Sequence, residues 1–269
     1  MRGEFIDLNG ERIYYYAAGA RGDGDPIVLI HGFPTSSHIW LDVVPRLPEG
    51  HRVIVVDLPG FGRSDPPRGA AGQLASHAIR VAMLLHLLQV DRACVVGHGS
   101  GGAVAQLMAL SPERISGLVI IGCGSAPFPP VNAWLSATAR LARYVPTWLW
   151  QAAARREIAR GYVDGDRGRR SADIFLRPFG GAGGSRLFAQ QFAELHGEEF
   201  MTDSVPGQIV IATTILVGRD DPFVSVESAR ALQKSIRGST LHVCDSQRHF
   251  LPEEGPSEVA ATIAELLGR

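Results

Sequence analysis

The stretch Cys94-Val95-Val96-Gly97-His98-Gly99-Ser100-Gly101-Gly102-Ala103 decides the fold. It begins as a β-rich apolar run and passes, within two or three residues, into small side chains that open a helix. Such a strand-to-helix turn is tight. Strand and helix crowd together, so the residues two before and two after the tip must be small. With Gly99 at the tip, those flanks are Gly97 and Gly101; with Ser100 they would be His98 and Gly102, and an imidazole is a poor fit. Spacing therefore favours Gly99. Glycine also takes positive φ without the roughly 1–3 kcal/mol that other residues meet in sparsely allowed regions.

Around this turn, a chain of 269 residues with 45% hydrophobic content can bury one large core, and sheet-based α/β domains of this length are often undivided. One domain with an insertion is the expectation. A net charge of −1 gives no electrostatic reason for nucleic acid or an anionic membrane as partner. Cys94, Cys123 and Cys244 are far apart and lack C-x-x-C spacing, which suggests neither a disulfide framework nor a zinc site. Met1 to Glu4 lead into an alternating strand pattern, and no apolar run approaches the roughly 18 residues a bilayer span needs. The expectation is a cytoplasmic monomer or homodimer acting on a small molecule, without metal or cofactor. Lys234 is the only lysine, a bias that hints at a GC-rich bacterial genome.

Along the chain, strand and helix patterns alternate. Glu4 to Leu8 and Arg12 to Tyr16 form a predicted hairpin turned at Asn9-Gly10. Short Val/Ile-rich runs follow at Pro26 to Ile30, Arg52 to Val56, Ala93 to Val96 and Ile115 to Ile121, with helical patterns at His38 to Arg46 and Leu74 to Leu88. Continuous apolar runs separated by helices indicate parallel strands buried on both faces. About 80 residues without strand signals come next, reading as amphipathic helices at Trp134 to Tyr144, Pro146 to Arg160, Ser171 to Leu176 and Ser185 to Leu195. Strand patterns resume at Ile209 to Val217 and Thr240 to Val243, with helices near Ser225 to Ile236 and Ser257 to Leu267.

These motifs resemble the α/β-hydrolase fold superfamily over nearly the full length. His31-Gly32-Phe33-Pro34 sits where that family places its oxyanion loop, and Asp57-Leu58-Pro59-Gly60-Phe61-Gly62-Arg63-Ser64-Asp65 matches its next strand end. Gly218-Arg219-Asp220-Asp221-Pro222 is similar to the loop carrying the acid, and Arg248-His249-Phe250-Leu251-Pro252-Glu253 to the loop carrying the histidine. The wording around His31 to Trp40 and Gly60 to Pro66 resembles the haloalkane dehalogenase and epoxide hydrolase branch. The resemblance implies an α/β fold with a mostly parallel eight-stranded sheet flanked by helices. It places the hydrolase core at 1–124 and 206–269 and a helical cap insertion at 125–205. It also makes the quoted turn the nucleophile elbow, with Gly99 where serine or aspartate would stand.

The family pattern assigns catalytic roles to His249 and Asp221, the acid holding the imidazole in the tautomer that leaves its other nitrogen free as a base. Backbone N–H groups of Phe33 and Ser100 are the expected oxyanion hole. The Ser100 hydroxyl has three open readings: a substrate contact, a helix-start residue satisfying a nearby backbone N–H, or a shifted nucleophile. His98, Trp134, Trp148 and Phe179 are the candidate substrate-binding residues, His98 also being placed to order the elbow. Gly97 to Gly102 also satisfies G-x-G-x-x-G, yet Ile115 to Ala126 offers no acid for a ribose. Arg155, Arg156, Arg160, Arg167, Arg169 and Arg170 read as a solvated face with Glu157, Asp164 and Asp166 as neighbours.

Three functional classes follow. The first is an enzyme in which His249 acts as general base on a largely apolar carbonyl compound or on water, with an oxyanion hole and no covalent nucleophile; elimination, cyclisation, carbon–carbon bond chemistry or water-mediated hydrolysis would need only these parts. The second is a serine ester, lactone or thioester hydrolase, using Ser100 or lacking its natural nucleophile at Gly99. The third is a non-catalytic ligand binder. Retention of the Asp221 and His249 pair speaks against the third.

Overall fold

Asn9 and Gly10 both have positive φ, 56° and 86°, the geometry of a two-residue hairpin turn whose twist matches its flanking strands. The Asp7 carboxylate accepts from Gly10 N–H at 2.7 Å, and β1 (Gly3–Leu8) pairs antiparallel with β2 (Glu11–Ala18). The computed structural model describes residues 3–19, 22–68, 74–124, 144, 146–181, 183–195 and 204–268. β2 is also antiparallel to β4 (His51–Val56). All further pairings are parallel and bring in β3 (Gly24–Ile30), β5 (Ala93–His98), β6 (Ile115–Ile121), β7 (Thr213–Gly218) and β8 (Thr240–Cys244). The sheet has eight strands in the order β1-β2-β4-β3-β5-β6-β7-β8.

The Val/Ile-rich strands are central because both faces are covered: Ile27 to Ile30 and every residue of β5 are buried. α1 (Leu74–Leu87), α2 (Ser100–Met108), α7 (Val226–Ser235) and α8 (Pro256–Leu267) flank the sheet, and α2 packs on β3, β5 and β6. From β3 the chain goes to β4 on one side and then to β5 on the other, so strand order reverses between β3 and β5. Ligand sites of open parallel sheets form outside the carboxyl ends at such a reversal. The loop after Ile30 and the turn after His98 both emerge there. The three cysteines are free and buried, and burial pushes the thiols of Cys94 and Cys123 up to about 12. No described helix is long and apolar enough to cross a membrane.

Four elements differ from the sequence expectation. His38 to Arg46 forms two short 3-10 segments, Ser37–Trp40 and Val44–Arg46, because Pro45 has no N–H for a continuous helix. Ile209 to Ala212 precede the strand: Ile209 N–H bonds the Pro206 carbonyl, so its side chain is buried without joining the ladder. The helix expected from Ser171 begins earlier, at Gly165, where the Asp164 side chain accepts from Asp166 N–H at 2.9 Å as its N-cap. Ser185 lies inside its helix, which starts at Gly184. The helix expected at 134–144 lies outside the described residues apart from Tyr144.

Between β6 and β7 the described helices are α3 (Thr147–Arg160), α4 (Gly165–Phe175), α5 (Gly184–Leu195) and the single turn α6 (Ser204–Gly207). Trp150 stacks on Phe188 at 4.6 Å between ring centroids, and Phe188 meets Phe33 of the β3 loop at 5.2 Å. Phe179 contacts Phe61 at 6.0 Å. These rings join the inserted helices to the sheet end, each fully buried one contributing about 1.5–3 kcal/mol.

Candidate active site

The turn from β5 to α2 is set by close backbone approach. A Cβ on Gly97 would lie 2.2 Å from the Gly101 carbonyl oxygen, and one on Gly101 would lie 2.4 Å from the His31 carbonyl oxygen. Neither position has room for a side chain. Gly99, between them, has φ 56° and ψ −125°, a conformation outside the regions side-chain-bearing residues normally occupy. Space is not its limit: the nearest described atoms to a Cβ there are His249 Nε2 at 3.7 Å and the Gly32 Cα at 3.8 Å.

His249 and Asp221 meet across the loops after β8 and β7. His249 Nδ1 lies 2.8 Å from Asp221 Oδ2, and the other oxygen of Asp221 accepts from Phe223 N–H at 2.7 Å and Val224 N–H at 3.0 Å. This partner fixes the proton on Nδ1, since an ionised carboxylate can only accept. Nε2 therefore carries the lone pair, and it faces the tip at Gly99. Both residues are buried. The imidazole is also held from behind: its backbone N–H donates to the Gly161 carbonyl at 3.0 Å, and Phe223 lies edge-on to the ring at 4.9 Å.

The third side of the site is the loop after β3. Phe33 N–H donates to Ser100 Oγ at 2.8 Å, so the two groups expected at the oxyanion hole are adjacent. Ser100 opens α2, where the first-turn N–H groups have no acceptor within the helix. His31 anchors the loop: its Nε2 accepts from Leu58 N–H at 2.9 Å and its Nδ1 faces the Gly32 carbonyl at 3.0 Å. Burial lowers its pKa, which keeps the ring neutral. Asp57 ties the next loop down by accepting from Ser37 N–H at 2.6 Å and Arg63 N–H at 2.9 Å.

The candidate substrate residues fall in different places. His98 is fully buried, and its Nε2 lies 3.0 Å from the His249 carbonyl. Burial, and then the neighbouring His249, hold its pKa well below the ordinary value, so the ring is neutral and Nε2–H is the donor. Phe179 is buried in the aromatic cluster above Phe61, whereas Trp148 is 69% exposed. Trp134 lies outside the described residues. Five of the six arginines read as a solvated face pair with carboxylates: Arg155 with Asp173, Arg160 with Glu157, Arg167 with Asp42, Arg169 with Asp166 and Arg170 with Asp164. Two contributors were not singled out from sequence, Phe223 and the Gly161 carbonyl. The first adjoins Asp221-Pro222 in sequence; a backbone carbonyl leaves no residue-type signal.

The family model of the alpha/beta hydrolase fold matches residues 25–161, and the chain belongs to that family. A 2-hydroxy-6-oxo-2,4-heptadienoate hydrolase of Pseudomonas putida is 29% identical over 244 residues, covering 87% of this chain and 85% of its own length. An uncharacterized hydrolase of Bacillus subtilis is 24% identical over 268 residues, covering 97% of this chain and 96% of its own. Among solved structures, an enol-lactonase from Burkholderia xenovorans superimposes with a TM-score of 0.85 at 19% identity, over 99% of this chain and 100% of the other. That last likeness is one of fold.

Proposed function

We propose that this α/β-hydrolase-family enzyme hydrolyses a small, largely apolar carbonyl compound by general-base catalysis without a covalent intermediate. The observation that carries the reading is the 3.7 Å between His249 Nε2 and the position a Cβ would take at Gly99. A serine or aspartate there would reach the base; glycine leaves that space to a water molecule. In the proposed reaction His249 Nε2 takes a proton from this water as its oxygen bonds to the carbonyl carbon. The carbonyl electron pair moves onto oxygen, which is stabilised in the oxyanion hole that Phe33 and Ser100 build. The imidazolium then returns the proton to the leaving oxygen of an ester or lactone as the carbon–oxygen bond breaks. Asp221 stabilises the imidazolium throughout.

Two further observations support the choice. Ser100 Oγ is engaged by Phe33 N–H, while the free nitrogen of His249 faces position 99, which argues against Ser100 as the activated nucleophile. The names of the relatives, a heptadienoate hydrolase and an enol-lactonase, fit hydrolysis at a carbonyl more closely than elimination or cyclisation. In this reading the inserted helices form a cap over the site, with Phe33, Phe179 and Phe188 as its apolar lining. The test is rapid-mixing hydrolysis of p-nitrophenyl butyrate, with quenched samples weighed intact. Turnover that depends on His249, with neither a burst nor an acyl-enzyme mass, is expected; a stoichiometric burst with a butyryl adduct would overturn the reading.

A further inference from the structure

Phe33 N–H is already committed. Its acceptor, Ser100 Oγ, lies 2.8 Å away, so that oxygen stands where a substrate oxyanion would have to sit to use this amide directly. Either the serine side chain turns out of the way during catalysis, or it becomes part of the hole. A hydroxyl that accepts one hydrogen bond keeps its own proton for another. Among the described residues no acceptor takes the Ser100 O–H, and accepting the amide proton strengthens it as a donor.

We propose that the Ser100 hydroxyl is itself a catalytic oxyanion donor, held in place by Phe33 N–H and offering its proton to the developing oxyanion beside the Ser100 backbone N–H. The inference rests on the carbonyl chemistry proposed above but not on whether its nucleophile is water. Phe33 becomes the residue that orients the hydroxyl. One serine then supplies two donors, and the hole is displaced from the β3 loop toward the start of α2.

The experiment compares Ser100→Ala and Ser100→Thr with the parent, both in the wild-type chain and in a Gly99→Ser background, using p-nitrophenyl butyrate. A donor role predicts that Ser100→Ala lowers kcat by about 10²–10³ while KM changes little, and that Ser100→Thr, which keeps the hydroxyl, recovers most of the loss. Thermal melting of each variant separates this from unfolding, which would move kcat and the folded fraction together. An unchanged or higher kcat for Ser100→Ala in both backgrounds would overturn the proposal, since the hydroxyl would then be a plug on the Phe33 amide. The Gly99→Ser background separates the two readings. A Ser100 effect there, without base-driven turnover by the wild type, would sink the water mechanism and leave the donor role standing.

Discussion

The floor of the site and the helices inserted above it are held together by different physics. At the floor, backbone meets backbone: Gly97 against Gly101, and Gly101 against the His31 carbonyl, at distances no Cβ tolerates. In the insertion, contact is made by rings: Trp150 on Phe188, Phe188 on Phe33, and Phe179 on Phe61. A floor built from backbone admits few residue types at each position. The proposed roof, built from side chains, can be repacked, which is where a family sharing one floor can diversify what it accepts.

The largest expected effect lies on the floor. His249→Ala removes the proposed base, whose Nε2 faces position 99, and kcat for ester hydrolysis should fall about 10²–10⁴-fold; retained turnover would break the floor's catalytic assignment. Phe188→Ala in the roof should cost about 3–5 kcal/mol in urea unfolding and change the order of preference among esters of different acyl length. The pair Gly101→Ala and Gly99→Ala sharpens the contrast within the floor. The first meets a carbonyl oxygen and should destabilise by about 1–3 kcal/mol from overpacking, with further loss if the loop after β3 shifts. The second meets only the cost of its positive φ, about 1–3 kcal/mol, and should leave the β3 loop undisturbed by hydrogen exchange.

Smaller effects come from titration and surface charge. His77 is buried, and burial, with His31 and Arg80 adding to it, lowers its pKa from 6.5 to about 3. The unfolded chain therefore binds a proton that the folded chain excludes, and stability falls as pH drops from about 6.5 toward 3, by up to about 1.4 kcal/mol per pH unit for this group. His77→Leu should lessen that slope by about one proton in urea titrations between pH 4.5 and 7. An unchanged slope would contradict a neutral buried ring. Arg155→Ala, at the partly exposed pair with Asp173, should shift stability by less than about 1 kcal/mol.

The same division explains what could be read from the sequence. Small residues at Gly97 and Gly101 are forced by close approach, so the position of the turn was legible, as were the Asn9-Gly10 hairpin and the Val/Ile strands of a sheet covered on both faces. Asp221 and His249 stand 28 residues apart in sequence, and only the motifs around them suggested that they meet. The roof was less legible. A helix opening Gly165-Asp166-Arg167-Gly168 has low helical propensity and is held by its Asp164 cap and by packing on α3. The exposure of Trp148 and the burial of Phe179 depend on which way each helix turns, and amphipathic spacing left that orientation open. Commitment of the Phe33 amide to the Ser100 hydroxyl joins residues 67 apart; nothing local announces it.

The most direct test is labelling with a fluorophosphonate followed by intact mass measurement of the wild type and of Gly99→Ser. No adduct is expected on the wild type, and a single stoichiometric adduct mapped to position 99 on the variant, because a side chain there reaches His249 Nε2. An adduct on Ser100 of the wild type would contradict it.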